Sequence, residues 1–140
     1  LINPFLYSMT TAVSQQASTG RDSAEQYEHL KGLADTSLEK EFLKVLYNDG
    51  FKLPDKAQHQ PSSEVFVQPD FFYEREGIPG VCVFVDGPVH DNSSTVENDA
   101  LVRGQLEGIG YRVIVIRYDS DLKEQVMEHQ DVFGIGNDGN

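Results

Sequence analysis

The run "TSLEKEFLKVLYNDG" sets Leu38, Phe42, Val45 and Leu46 three to four residues apart, which forms one apolar stripe at the 3.6-residue period of a helix. Thr36 with Glu39 three positions on has the form of a capping box, and Gly50 suits the left-handed residue after a helix end. A shorter helix is predicted upstream in "DSAEQYEHLKGLAD", with Asp22 and Glu25 at its start and Tyr27, Leu30 and Leu33 on one face. The period then changes. "EVFVQPDFFYE" is rich in β-branched and aromatic residues, Pro69 marks an edge or bulge, and "REGIPG" is a turn before "VCVFVD". These predict a two-stranded hairpin, with a further short strand at 51–53.

Beyond Gly87, Val96, Leu101, Val102, Leu106 and Ile109 predict a helix that Gly110 ends. "YRVIVIRY" is an unbroken β-run of the kind covered on both faces, parallel to the strand before the helix. "DSDLKEQVMEH" predicts a last helix capped by Asp119 or Ser120. The predicted order is α-β-β-α-β-α, an α/β fold with a mixed sheet flanked by helices. Residues 1–36 read as a linker or the end of a preceding domain with one short helix, 37–134 as the domain, and 135–140 as a flexible end. No internal repeat is present. The opening "LINPFLYSMT" has neither an initiator Met nor the pattern of a signal peptide, so the chain is expected to be a piece of a longer protein.

Composition narrows the function classes. The 140 residues suffice for one core, and no apolar run approaches the ~18 residues of a membrane span. Cys82 is the only cysteine, which excludes an internal disulfide or a cysteine-based zinc site and fits a cytoplasmic location. The 23 acidic and 11 basic side chains give a formal charge of -12, the wrong sign for gripping a phosphate backbone unaided. DNA binding by this segment alone is expected to be weak.

The acids fall where plain structure does not require them. Glu39 lies ~60° from the centre of its helix's apolar stripe, against ~100° for Glu41, so it borders the buried face. It either closes the cap with Thr36 or points across that face. Asp70 interrupts an apolar strand and must be exposed, paired or bound to a cation, since burial without a partner is expensive. Asp86 ends the next strand before Gly87 and can be a turn former; His90 can be an ordinary loop histidine; Asp99 can be a solvated acid favoured by its helix dipole. The hairpin nevertheless puts two strand ends side by side at the rim where the next helix begins, so Asp70, Asp86, His90 and Asp99 can converge. Hard oxygen ligands of this kind suit Mg²⁺ or Mn²⁺ and phosphodiester hydrolysis, with a histidine as proton carrier.

The helix glutamate, "VQPDFFYE", "VFVDGPVHD", "END" opening a helix and "GYRVIVIRY" together resemble the very-short-patch repair endonuclease branch of the PD-(D/E)XK nuclease superfamily, including related homing-endonuclease nuclease domains. The likeness spans roughly residues 37–118. It implies a restriction-endonuclease-like core and a Mg²⁺- or Mn²⁺-dependent DNA endonuclease. By position, Glu39 matches the helix glutamate, Asp70 the metal-binding aspartate, His90 the catalytic histidine and Asp99 the acid opening the next helix. Asp86 matches a strand-end metal position at which a backbone carbonyl can serve. The (D/E)XK lysine is absent, as it is in that branch, and the repair enzyme's zinc cysteines have no counterpart, so mismatch recognition is not implied. The segments around "VCVFVDGPVHD" and "YRVIVIRYDSDL" also resemble the C-terminal end of large bacterial helicase-like proteins, which implies an adjoining helicase or DNA-binding domain that supplies the grip. Two other readings stay open: an inactive nuclease-like fold that guides DNA or binds a protein partner, and a helicase-associated structural module whose acids are solvated.

Overall fold

The computed structural model describes residues 21–136. Most of the expected linker and the end of the expected C-terminal tail lie outside that range. Helices α1 (Ser23–Leu33) and α2 (Ser37–Asn48) come first, followed by strands β1 (Lys56–Ala57), β2 (Phe71–Tyr73) and β3 (Val81–Asp86). A 3-10 turn (Pro88–Asp91) leads into α3 (Ser93–Gly108), β4 (Arg112–Arg117), α4 (Leu122–Met127) and α5 (Gln130–Phe133). The four strands form one mixed sheet in the order β1-β2-β3-β4. The first two pairings are antiparallel, and β3 and β4 are parallel through the α3 crossover.

Alternation along β3 divides the core in two. Val81, Val83 and Val85 pack with Leu30 of α1, Phe42, Leu43 and Leu46 of α2, Val126 of α4 and Phe133 of α5. Cys82 and Phe84 point the other way, toward Leu106 of α3. Full burial of each such side chain contributes on the order of 2 kcal/mol. All six residues of β3 are buried, so the strand is a rigid centre between two helical layers. Gly50 (φ +76°) and Gly110 (φ +101°) take the left-handed conformation that ends α2 and α3, as the sequence predicts.

Several elements differ from expectation. The first strand of the hairpin is only Phe71–Tyr73, because Pro69 has no N–H to give the ladder. No strand forms at 51–53: Phe51 turns into the core and the Lys52 N–H bonds to the Phe133 carbonyl, while pairing with β2 begins at Lys56. Only Leu106 of the α3 stripe is buried, since Val96 and Leu101 lie ~100° or more from the direction shared by Val102, Leu106 and Ile109. That sparse contact leaves Val113 and Val115 of β4 half-buried while Ile114 and Ile116 are enclosed, so β4 is not fully covered on both faces. The last helical segment is capped by Asp121, whose carboxylate accepts the Glu124 N–H at 2.9 Å, and it breaks at Glu128 before α5. Among the described residues, no helix is long and apolar enough to cross a membrane.

Candidate functional site

β2 runs antiparallel to β3, so the residue that precedes β2 lies at the same rim of the sheet as the residue that ends β3. Those residues are Asp70 and Asp86. A cleft of about 490 Å³ opens at this rim, lined by Glu39, Asp70, His90, Asp99, Arg103 and neighbouring apolar groups. Four of the five expected site residues therefore share one cavity. Asp86 is buried just beneath it.

Glu39 enters from the first turn of α2 and is 3% exposed. It serves both purposes left open by the sequence. The Thr36 hydroxyl oxygen accepts the Glu39 N–H at 3.1 Å, the same hydroxyl donates to Glu39 Oε2 at 3.2 Å, and the Asp35 N–H donates to Oε1 at 3.0 Å. The capping carboxylate thus reaches one residue further back than the usual box, and it lies near enough to Asp70 to raise that carboxyl's pKa.

Asp70 is fixed from the opposite side: its Oδ2 accepts the Val85 N–H at 2.7 Å, across the end of the β2–β3 ladder. Its pKa is pushed up to about 7. Burial is the largest cause; the Val85 N–H opposes it, and the neighbouring Glu39, by charge and hydrogen bond, and Asp86, by charge, add to it. The Asp70 carboxyl therefore keeps its proton up to near neutral pH. A bound cation would compete with that proton.

The second group stands on the α3 side of β3. His90, on the 3-10 turn, puts Nδ1 2.7 Å from Asp99 Oδ2 and 3.7 Å from Asp86 Oδ1. Asp99 lies in the second turn of α3, because the helix starts at Ser93 under an Asn92 cap; it faces His90 and is not the solvated first-turn acid that its position allowed. Asp86, His90 and Asp99 each offer an atom within 4.8 Å of the others and can hold a metal ion as a group. A cation already stands among them. Arg103 grips Asp86 with two parallel bonds, Nη1 to Oδ2 at 2.9 Å and Nη2 to Oδ1 at 2.8 Å, lies 3.7 Å from Asp99 Oδ2, and stacks 4.4 Å from the Phe84 ring centre. The Asp86 carbonyl, the other candidate metal donor, accepts the Tyr118 N–H at 3.0 Å.

The turn carrying His90 is tied down from β4. Asp91 accepts from Arg117 Nη2 and from the Tyr118 hydroxyl, each at 2.7 Å, and these bonds hold its carboxyl below the usual range. Sequence reasoning missed Arg103 as a site member and missed the Asp91 tether. The signal for Arg103 was its position four residues after Asp99, on one helix face. The tether has no local signal, since it joins residues 26 or more apart.

Compared with protein-family models, curated proteins and solved structures, the chain has no match.

Proposed function

We propose that this is a metal-dependent DNA endonuclease domain with a restriction-endonuclease-like core, of the very-short-patch repair-like branch, working within a larger helicase-type protein. One observation supports the reading above the others: the Glu39–Asp70 carboxyl pair and the His90–Asp99 pair line a single cleft at the end of a rigid strand. Asp70, with Glu39 beside it, is the residue to hold Mg²⁺ or Mn²⁺, and Asp86 can add a ligand only in competition with Arg103, which grips both of its oxygens. The bound ion would polarise the phosphate and lower the pKa of a water. His90, oriented by Asp99, transfers the proton, and the buried Asp86–Arg103 pair keeps the floor of the site in shape. The substrate is DNA delivered by an adjoining helicase or DNA-binding domain.

The test is cleavage of supercoiled plasmid and of single-stranded oligonucleotides by the domain and by its longer parent protein, with Mg²⁺, Mn²⁺ or chelator. Cutting that needs the ion and disappears in Asp70→Asn supports the reading. A parent protein that engages DNA through this domain without ion-dependent cutting selects the second reading, an inactive nuclease-like fold that guides DNA or docks a protein. That reading is favoured by the charge of -12 and by the engagement of nearby basic groups: Arg103 with Asp86, Arg112 with Asp131, Arg117 with Asp91 and Asp119, Lys123 with Asp49, and Arg75 with the Pro79 carbonyl.

A further inference from the structure

Gln58 has a φ of +53°, the only positive value at a non-glycine residue among those described. Glycines occupy the other positive positions, 50, 77, 110, 134 and 136. An L side chain in this region crowds its own backbone, and glutamine lacks the short local hydrogen bonds with which Asn and Asp offset the strain. Glycine would fit at no such cost, so the glutamine side chain needs a reason for being there. Its contacts supply one. β1 pairs Ala57 with Phe71, which sets Gln58 opposite Asp70, and the Gln58 N–H donates to the Asp70 carbonyl at 3.2 Å. The backbone then departs from the strand, and the side-chain Nε2 donates to Glu39 Oε1 at 3.4 Å.

We propose that Gln58 is a positioning residue for the Glu39–Asp70 pair, with one strained residue anchoring the backbone of the first partner and the carboxylate of the second. Asp35, Thr36 and Gln58 together supply N–H or O–H donors to Glu39, so its carboxylate has a fixed direction against Asp70. Gln58 lines the neighbouring groove with His29 and His59 and not the cleft, so it acts through Glu39 and touches no substrate. Strain of this kind collects where a site needs a side chain held in place. The consequence for metal binding rests on the nuclease reading above; the anchoring itself does not.

The test compares wild type with Gln58→Gly, which relieves the backbone, keeps the N–H to Asp70 and removes the amide to Glu39. The expected result is opposite signs: a melting temperature equal to or above that of wild type, and Mn²⁺ affinity lower by about tenfold or more, the usual effect of removing a ligand's supporting hydrogen bond. A variant that changes melting temperature but binds the Mn²⁺ lost in Asp70→Asn as tightly as wild type does overturns the proposal. A second readout is independent of metal. In the ¹H–¹⁵N spectrum of the wild type, the Gln58 side-chain amide should be displaced from those of exposed glutamines and slowed in exchange; an amide indistinguishable from them overturns the anchoring. If wild type has no Mn²⁺ site that Asp70→Asn removes, the nuclease reading fails and Gln58 is judged on the amide signal.

Discussion

His90 Nδ1 lies 2.7 Å from Asp99 Oδ2, nine residues on along the chain. When a carboxylate in this position is ionised it only accepts, which puts the ring proton on Nδ1 and leaves Nε2 for proton exchange. Two elements make this pairing: a 3-10 turn locked to β4 through Asp91, and the second turn of α3.

On the nuclease reading proposed above, His90→Ala should lower DNA cleavage by on the order of 10²–10⁴-fold, the range of a lost proton-transfer group. Asp99→Asn should lower it by a smaller factor, because an amide can donate to Nδ1 and favour the other tautomer. Mn²⁺ affinity should be nearly unchanged in both. Rates measured with saturating Mn²⁺ check this, and a His90→Ala protein that cuts like wild type removes the histidine from the chemistry.

Asp70 gives a pH signature of stability. Its carboxyl titrates near 7 when folded, against an ordinary 3.8, so the folded state holds a proton that the unfolded chain releases at lower pH. The sign follows: below about pH 4 the group has no effect, and as pH rises toward 7 the folded state loses stability. Asn in its place still accepts the Val85 N–H and carries no charge. Asp70→Asn should thus be more stable than wild type at pH 8, by on the order of 2–4 kcal/mol, with the gap closing toward pH 4. Urea denaturation at several pH values measures the gap, and a gap that does not change with pH contradicts the assignment.

Asp86 is 3% exposed, and its two oxygens depend on Arg103. Arg103→Leu should destabilise the fold by about 3–5 kcal/mol, since it strands a buried carboxylate. Adding Asp86→Asn should restore much of that loss. A double variant as unstable as the single one would mean that the Arg103 stacking on Phe84, not the ion pair, holds the two elements together.

Much of this was legible in local pattern. The α2 stripe, its Thr36 cap, the hairpin, and the parallel return through α3 all follow from short-range periodicity and turn chemistry, and they put Asp70 and Asp86 at one rim. The shortness of β2 was half legible, since Pro69 was visible but its effect on the ladder depends on where β1 pairs. What could not be read was pairing between distant segments. Nothing near Gln58 announces Glu39, nineteen residues away, and nothing near Asp91 announces Arg117. The face of α3 was misjudged for a related reason: Val96 and Leu101 looked like core positions until the sheet fixed which side of the helix is covered.

The central claim is that Asp70 and Glu39 form a cation site. Calorimetric titration of Mn²⁺ into wild type and into Asp70→Asn addresses it most directly, because a chain of charge -12 binds some metal loosely and only the difference between the two proteins is informative. The account predicts one saturable site in the wild type, with proton release below pH 7 as the ion displaces the Asp70 proton, and its loss in Asp70→Asn. The same weak, non-saturating binding in both proteins would contradict it.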